Sequence, residues 1–442
     1  MSAETLDQVL SAFPQDITPI LSPLGETSIA TLRTQAINLA EGSDIMPGSR
    51  LALCGLSPVE LIIAIIAFDG KIEGMLLLPY SLDRDTENYL IEAAGCTHRL
   101  DASRNGLLAV NSSLPSCGKE KTPTRWILAT SGTTGAPKLI EHTLATLSRT
   151  VKRDYTRGTN FVWGLLYDPC RFAGMQVVLQ ALCSCSKLIV SGSLDFSEQI
   201  DNLINNKVNA LSATPSLWRK LLLDGKIKSL SLRQITLGGE IADQNILDAL
   251  KYHFPSARIV HIYASTEAGS AFSVHDGLSG FPVNWLESNT APVSMRIRED
   301  GHLLIKPTLL PRGTEIGNRT DADGYLDTED LVQIDGDRVI FLGRASGAIN
   351  VGGNKVNPEY IENHIREVSG VLDVRIFGKK SSLIGQLVAA EVVPHLGVDI
   401  KTLRSEILQY CRSRMESWQA PSIISFVTEL NENSAGKRER LN

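Results

Sequence analysis

Residues 126–138, WILATSGTTGAPK, join a short β-rich run directly to a loop of glycines and hydroxyl side chains. From this point to residue 264, β-rich runs alternate with amphipathic stretches, and this alternation predicts an α/β fold with a largely parallel sheet. The predicted strands are WILAT (126–130), KLIV (187–190), VNALSAT (208–214), RQITLGG (233–239) and RIVHIYA (258–264). Among the stretches between them, residues 215–223 and 242–253 predict helices.

The chain after residue 290 follows a different pattern. SMRIREDGHLLIKP (294–307) and DLVQIDGDRVIFLGR (330–344) each place two alternating runs on either side of an Asp-Gly turn, which predicts two β-hairpins. A small α+β unit follows, with predicted helices at 358–368 and 400–415 and predicted strands at 371–377, 386–393 and 423–427. We therefore expect two domains, residues 1–345 and 347–442, joined by very few residues.

Composition excludes several classes of protein. Across 442 residues, 43% hydrophobic content, 21% charged content and a net charge of −6 indicate a globular protein without the basic excess that favours nucleic acid. The seven cysteines lack the paired spacing of a zinc site and indicate reduced thiols. The most apolar run, LIIAIIAF (61–68), is too short to span a membrane and predicts a buried helix. With no export signal at the N-terminus, we expect a cytoplasmic protein.

The loop TSGTTGAPK (130–138) leaves a strand at the carboxyl edge of the predicted sheet, where α/β folds bind ligands. Its glycines allow backbone N–H groups to approach phosphate oxygens, its hydroxyls add donors, and Lys138 adds positive charge. A polyphosphate is the ligand this predicts. The loop is not a Walker A motif, because Pro137 precedes the lysine and Leu139 follows it. On this segment alone, a Ser/Thr/Gly-rich surface loop is an equal interpretation.

Other segments favour the phosphate loop. TSGTTGAPK resembles the phosphate loop of the adenylate-forming (AMP-binding) superfamily, which includes acyl- and aryl-CoA ligases, luciferases and adenylation enzymes of nonribosomal peptide synthesis. Seven further segments resemble the family's motifs in the family's order. They are SPVELIIAIIAFDGKIEGMLLLP (57–79), ALSATPSLWRKL (210–221), LGGE (237–240), YASTEAG (263–269), DGYLDTEDLV (323–332), FLGRASGAINVGGNKVNPEYIE (341–362) and SAGKRER (434–440).

The resemblance covers residues 50–440 and implies a fold. It implies a large N-terminal domain of α/β sheets with a small β-barrel-like part, and a small mobile α+β C-terminal lid that carries a catalytic lysine. It also implies two half-reactions: a carboxylate attacks the α-phosphate of ATP to give an acyl-adenylate and pyrophosphate, and a thiol then displaces AMP to give a thioester.

Each site residue follows from a matching motif position. The resemblance implies that Lys437, Thr266 and Glu267 are catalytic, and that Glu267 also holds Mg²⁺. Oxygen ligands suit this cation. The positions implied to bind ATP or the acyl acceptor are Thr130, Ser131, Gly132, Thr133, Thr134, Gly135, Lys138, Gly239, Glu240, Tyr263, Ala264, Ser265, Asp330, Arg344 and Gly353.

Asp330 matches the aspartate that accepts hydrogen bonds from both ribose hydroxyls, and Arg344 matches the arginine beside it. Lys437 matches the lysine that bridges the carboxylate and the α-phosphate during adenylation. Without the resemblance, Asp330 is a hairpin residue, Arg344 is a surface cation, Glu267 is a solvated carboxylate, and the segment around Lys437 is a fraying terminus.

The resemblance also implies an acyl pocket and a pivot. The pocket residues are Phe172, Gly174, Gly238, Tyr263 and Ala264, and the pivot is Ser346. An apolar pocket with two aromatic rings favours an aryl or short acyl acid over a long fatty chain, although core packing is the commoner role of such rings. The sequence departs from the family's usual pattern at Glu329, where glycine is common, and in residues 161–176, which lack a histidine.

Three alternatives stay open. The thiol belongs either to CoA or to the phosphopantetheine of a carrier protein, because nothing in the sequence separates these acceptors. In a second interpretation, the enzyme passes the acyl group to a non-thiol acceptor. A third is a degenerate nucleotide-binding regulator, which the presence of all the matched charged and hydroxyl residues disfavours.

Overall fold

The computed structural model describes most of the chain. It covers residues 4–101, 123–130, 137–192, 194–287, 291, 293–307, 317–381 and 386–430, together with the backbone of 106–109 and 385. The remaining residues, which include 131–136 of the predicted phosphate loop and 431–442 with Lys437, lie outside this description.

Strands and helices alternate over most of the described chain. The strands are β1 (Ile20–Ser22), β2 (Gly25–Thr27), β3 (Arg50–Cys54), β4 (Gly74–Leu78), β5 (His98–Asp101), β6 (Gly106–Ala109), β7 (Arg125–Thr130), β8 (Lys138–His142), β9 (Val162–Leu165), β10 (Lys187–Val190), β11 (Ala210–Ala213), β12 (Gln234–Gly238), β13 (Arg258–Ser265), β14 (Gly269–Val274), β15 (Phe281–Pro282), β16 (Ser294–Ile297), β17 (His302–Lys306), β18 (Leu326–Asp335), β19 (Arg338–Arg344), β20 (Ile349–Val351), β21 (Asn354–Val356), β22 (Val371–Ser381), β23 (Gly385–Pro394) and β24 (Ile423–Phe426).

The described helices are α1 (Leu6–Ser11), α2 (Ile29–Glu41), α3 (Pro58–Phe68), α4 (Arg84–Ala93), α5 (Leu144–Leu147), α6 (Tyr155–Gly158), α7 (Phe172–Cys183), α8 (Phe196–Asn205), α9 (Pro215–Asp224), α10 (Gln244–His253), α11 (Pro358–Arg366) and α12 (Ile400–Arg414). Short 3-10 turns occur at Lys226–Ser229, Val283–Leu286 and Ala345–Gly347.

Two mixed sheets form the larger part of the molecule. The six-stranded sheet has the order β6-β5-β3-β4-β7-β8, and the eight-stranded sheet has the order β14-β13-β12-β11-β9-β10-β1-β2. Their central strands are parallel, while β6, β8, β14 and β2 run antiparallel at the edges. One large hydrophobic cluster takes residues from strands of both sheets and from α1, α2, α3 and α7. The predicted α/β class is therefore confirmed.

The apolar run 61–68 lies in α3, and its side chains are buried except for that of Ile63. Ser57 begins this helix with a capping box that involves Glu60, and Pro58 occupies the first turn, where its missing N–H has no intrahelical partner to lose. The prediction of a buried helix is confirmed. Within the described residues, no helix combines the length and apolar character that a membrane span requires.

The third sheet is antiparallel, with the order β15-β19-β18-β17-β16. It contains both predicted hairpins, β16–β17 and β18–β19. Gly301 and Gly336 in the two turns have φ values of +85° and +58°, which a residue without a Cβ adopts at little cost.

The fourth sheet comes from residues 349–426, in the order β21-β20-β23-β22 with β24 beside β23. Helices α11 and α12 contribute to its own hydrophobic cluster, as an α+β unit requires. The turn Ala345–Gly347 connects β19 to this sheet, so the predicted pivot Ser346 lies in the connection and is exposed. The division into residues 1–345 and 347–442, and the mobility of the second part, stay predictions.

Candidate active site

A cavity of about 350 Å³ opens where the third sheet, helix α11 and the carboxyl ends of several parallel strands meet. The predicted site residues that line it are Thr130, Gly239, Glu240, Tyr263, Ala264, Ser265, Thr266, Glu267, Asp330 and Arg344. These residues come from five separate motifs of the sequence. The fold therefore brings most of the described candidate residues to one place.

One wall of the cavity is an aromatic and carboxylate cluster. Asp330 lies opposite Arg344 in the β18–β19 register, and the Arg344 Nε atom is 3.4 Å from Asp330 Oδ1. The hydroxyl of Tyr263 donates a hydrogen bond to Asp330 Oδ2. The Tyr263 ring lies near-parallel to the rings of Phe272 and Phe341, with centroid distances of 5.0 Å to each.

Burial raises the pKa of Asp330, although Arg344 and the Tyr263 hydroxyl act in the opposite direction by favouring the carboxylate. The carboxylate has no proton to donate, so it suits a ligand that presents hydroxyl donors. The pair sits at the end of a hairpin whose strand register fixes the separation of the two side chains.

Glu329, directly before Asp330, has a backbone φ of +61°. This left-handed conformation costs a non-glycine residue about 1–2 kcal/mol, and it gives a physical reason for the glycine that is common in the family at this position. Here the residue is held by a hydrogen bond from its N–H to Asp327 Oδ1 at 2.7 Å and by an ion pair with Arg319 at 3.4 Å.

Thr266 and Glu267 lie in the tight turn between β13 and β14. The hydroxyl of Ser265 accepts a hydrogen bond from the N–H of Ala268 at 3.0 Å, which closes the turn. From the other side, His142 at the end of β8 donates from Nε2 to the carbonyl oxygen of Thr266 at 2.9 Å. The sequence analysis missed His142, although it stands only four residues after Lys138.

The two ends of the predicted phosphate loop face each other across the β7–β8 pair. Thr130 and Lys138 are register partners, and Thr130 lines the cavity whereas Lys138 does not. Ser131, Gly132, Thr133, Thr134 and Gly135 lie outside the described residues, as does Lys437. Their predicted roles stay predictions.

The Gly239–Glu240 turn follows β12 and borders the start of α9. Gly239 has a φ of +81°, and Glu240 accepts a hydrogen bond from the N–H of Ser216 at 3.0 Å. A carboxylate at this position accepts a hydrogen bond from a backbone N–H in the first turn of α9. The positive end of the helix dipole stabilises its negative charge. The turn is thereby fixed against the cavity.

Three predicted pocket residues do not line this cavity. Phe172 begins α7 and lies 5.7 Å, centroid to centroid, from the His142 ring. Gly174 is buried in the same helix, where an added Cβ would stand 2.1 Å from the carbonyl oxygen of Asp168. Gly238 ends β12, and its carbonyl oxygen lies 3.4 Å from the hydroxyl of Tyr167.

Gly353 does not line the cavity either. It lies exposed in the β20–β21 turn, where its N–H donates to Asn350 Oδ1 at 2.9 Å. Its predicted contact with the acyl acceptor stays a prediction.

A charged cluster that the sequence analysis also missed contributes Arg219, Glu362 and Arg366 to the cavity lining. Arg366 of α11 is 3.6 Å from Asp243, 3.4 Å from Glu362 and 3.1 Å from Asp373. Asp243 also pairs with Arg219 of α9. Only proximity in three dimensions reveals this group, because its members span residues 219–373 and no single motif contains them all.

The donors at the Thr266–Glu267 turn fit the expected Mg²⁺. A hydroxyl and a carboxylate are hard oxygen donors, and Mg²⁺ is usually held by one or two carboxylates together with substrate phosphates. The described residues contain no group of three or more His, Cys, Asp or Glu side chains arranged to hold a metal.

Fold and cavity together define an α/β protein with a candidate ligand site at the carboxyl ends of parallel strands. Sequence comparison then identifies the family: a profile of AMP-binding enzymes matches residues 85–298, and a profile of the AMP-binding enzyme C-terminal domain matches residues 360–437. Together they match about two thirds of the chain. The chain belongs to the AMP-binding enzyme family, and the resemblance inferred from its motifs is confirmed.

Individual relatives are distant. A 2-succinylbenzoate–CoA ligase of Listeria monocytogenes serotype 4b (strain F2365) is 24% identical over 331 residues, which cover 71% of this chain and 68% of the relative. The 4-hydroxybutyrate–CoA ligase 1 of Metallosphaera sedula is 25% identical over 71% of this chain and 60% of its own. The anthranilate CoA ligase AuaEII, solved with anthranoyl-AMP, shares the fold with a TM-score of 0.78 at 16% identity, over 99% of this chain and 96% of its own.

Proposed function

We propose that this enzyme activates a carboxylic acid with ATP and transfers the acyl group to the thiol of CoA. In the first step, a carboxylate oxygen bonds to the α-phosphorus and the bond to pyrophosphate breaks. In the second, the CoA sulfur bonds to the acyl carbon and AMP leaves. The observation that carries the proposal is the convergence of Thr130, Glu267, Asp330 and Arg344 on one cavity in a member of the AMP-binding enzyme family.

Each side chain has a role in this proposal. The Asp330 carboxylate accepts hydrogen bonds from the ribose hydroxyls. The Arg344 guanidinium, 3.4 Å from this carboxylate, favours its charged form. Residues 131–135 and Lys138 bind the β- and γ-phosphates. Preorganised donors of this kind stabilise charge that develops on phosphate oxygens during the reaction.

Mg²⁺ bound near Glu267 and Thr266 would neutralise phosphate charge during the first step. Lys437 would approach the same oxygens from the C-terminal segment and bridge them to the acid. A mobile ammonium group is suited to that role because it can enter for adenylation and then withdraw.

The favoured substrate is an aryl or short acyl acid. Tyr263, Phe272 and Phe341 contribute a stack of aromatic rings to the lining of the cavity. The names of two relatives point the same way, because 2-succinylbenzoate is an aryl acid and 4-hydroxybutyrate is a short acyl acid.

The test is acid-dependent release of pyrophosphate from Mg·ATP, with 2-succinylbenzoate, anthranilate, 4-hydroxybutyrate and palmitate as separate substrates. Release with the aryl or short acids, and none with palmitate, is the expected result. Lys437→Ala should abolish release, whereas Lys401→Ala, which changes an exposed lysine in α12, should leave it intact.

Thioester formation with CoA then identifies the acceptor. If the thioester forms only with a holo carrier protein, the acceptor is phosphopantetheine and not CoA. If the product is an amide, the acceptor is an amine and not a thiol. Binding of ATP without pyrophosphate release for any acid would contradict the proposal and favour a regulatory nucleotide-binding protein.

A further inference from the structure

His142 forms a bridge between the two halves of the nucleotide site. It is the last residue of β8, the strand that follows the predicted phosphate loop, and it lies in the six-stranded sheet. Its side chain reaches the turn after β13 in the eight-stranded sheet, where Nε2 is 2.9 Å from the carbonyl oxygen of Thr266. The histidine is only 1% exposed.

The direction of this hydrogen bond is fixed by chemistry. A carbonyl oxygen only accepts, so Nε2 carries the proton and donates. The other ring nitrogen, Nδ1, lies 3.2 Å from the hydroxyl of Thr146, which can donate to it. Burial lowers the pKa of His142 to about 4 despite the opposing effects of the Thr266 carbonyl and the Glu267 charge, so the ring is neutral near pH 7.

A bond to this carbonyl orients more than one atom. The C=O of Thr266 and the N–H of Glu267 belong to the same planar peptide group, so fixing the oxygen fixes the plane from which the Glu267 side chain departs. Ser265 closes the same turn through the N–H of Ala268. The turn is therefore held from within by Ser265 and from the neighbouring sheet by His142.

We propose that His142 is a positioning residue that locks the Thr266–Glu267 peptide and so aligns Glu267 with the phosphates of ATP. The inference rests on the proposed function, because it assumes that Glu267 acts with Mg·ATP. A misaligned carboxylate near the phosphates loses transition-state stabilisation, since such groups act only when they are preorganised.

Three variants distinguish the effect of the N–H donor of His142 from the effect of its ring. His142→Gln keeps an N–H donor at the same number of bonds from the backbone, whereas His142→Met has similar reach and no donor. His395→Met changes an exposed histidine in the loop after β23 and serves as the control. The measurements are kcat and KM for pyrophosphate release, and the affinity for ATP by calorimetry as a function of Mg²⁺ concentration.

We expect His142→Met to lower kcat by about 5- to 100-fold, the range that corresponds to one hydrogen bond lost in a buried polar site. The Mg²⁺ dependence of ATP affinity should shift to higher concentration, while ATP binding without Mg²⁺ stays within about twofold of the parent enzyme. His142→Gln should recover most of both properties, and His395→Met should change neither.

The inference is overturned if His142→Met leaves kcat and the Mg²⁺ dependence unchanged, or if His142→Gln is as impaired as His142→Met while both unfold at the same temperature. Should His142→Met fail to fold, His142→Asn replaces it, because its amide is one bond too short to reach Thr266. The calorimetry needs no carboxylic acid substrate. It therefore still tests the role of His142 in Mg·ATP binding if no acid in the panel releases pyrophosphate and the proposed function fails.

Discussion

Replacing Asp243 tests whether the charged cluster beside the cavity stabilises the protein. Its side chain is 9% exposed and pairs with Arg219 and Arg366, whose side chains are 12% and 7% exposed. Asp243 is also the N-cap of α10 and accepts a hydrogen bond from the N–H of Ile246 at 3.1 Å. Asp243→Ala removes both functions, whereas Asp243→Asn keeps a capping oxygen and removes only the charge.

The magnitude follows from these two functions. Removing one partner of a buried ion pair costs about 3–5 kcal/mol when the remaining charge stays desolvated. Arg366 keeps Glu362 and Asp373 as partners, so the lower end of this range applies here. Loss of the cap adds about 1 kcal/mol. Because all three side chains are nearly buried, solvent screening weakens the pairs little. Asp243→Asn should therefore lower the free energy of unfolding by about 3 kcal/mol or more, and Asp243→Ala by about 1 kcal/mol beyond that.

The assay is urea unfolding followed by tryptophan fluorescence at pH 7, with Asp248→Asn as the control on the exposed side of α10. Surface changes of that kind stay within about 0.5 kcal/mol. If Asp243→Asn and Asp248→Asn have the same stability, the reasoning about the cluster is wrong. If Asp243→Ala and Asp243→Asn coincide, the capping contribution is wrong.

The difference in stability between the parent protein and Asp243→Asn should also depend on pH. Burial by itself would raise the pKa of Asp243, but attraction to Arg219 and Arg366 outweighs it, so the pKa is lowered overall. A lowered carboxyl pKa gives stability that is fully present above the unfolded value of about 3.9 and is lost as the pH falls through the folded value. The difference between the parent protein and Asp243→Asn should therefore narrow below about pH 4 and stay constant above about pH 5.

Three further outcomes follow from the structure. Asp330→Asn should weaken ATP binding by about 10- to 100-fold in calorimetry, because hydrogen bonds to a charged acceptor are worth about 1.5–3 kcal/mol; equal affinity would remove Asp330 from the ribose site. Gly174→Ala should lower the free energy of unfolding by about 1–3 kcal/mol, because its Cβ would meet the Asp168 carbonyl oxygen at 2.1 Å, whereas Gly317→Ala, with no atom within 4 Å of an added Cβ, should have little effect. In a Cys117→Ser variant, whose six remaining cysteines are buried, a thiol reagent should label less than one group per folded chain and six after unfolding; rapid labelling of the folded variant would contradict this burial.

Much of the fold follows from local pattern. The strand predicted at 187–190 is observed as Lys187–Val190, and the helix predicted at 215–223 is observed as Pro215–Asp224. Each has a clear local signal, an apolar β-rich run in the first and a Thr214 cap with a following proline in the second. The differences occur at ends, such as β11, which is Ala210–Ala213 where 208–214 was predicted. Strand ends depend on which neighbour supplies the hydrogen bonds, and a single segment does not encode that.

In the candidate site, too, residues within contiguous motifs could be predicted, whereas contacts between distant segments could not. Asp330 and Arg344 were found because each lies in a contiguous motif. Their pairing does not follow from the Asp-Gly turn, whose register alone would place Asp330 opposite Gly343; a register shift between Leu331 and Val332 brings Asp330 opposite Arg344. His142 was missed because its partner, the Thr266 carbonyl, is 124 residues away. No side-chain pattern near residue 142 signals an acceptor on another sheet.

The sequence by itself determined the α/β class, the family and the set of side chains available for nucleotide chemistry, because these depend on periodicity and on motifs of fewer than about 25 residues. Only the tertiary structure decided which side chains share the cavity, which carboxylate pairs with which arginine, and which groups hold the Thr266–Glu267 turn. Such choices depend on burial and on distances between segments far apart in the chain. Charges such as Asp243 and Arg366 acquire strong partners only when folding removes both from water.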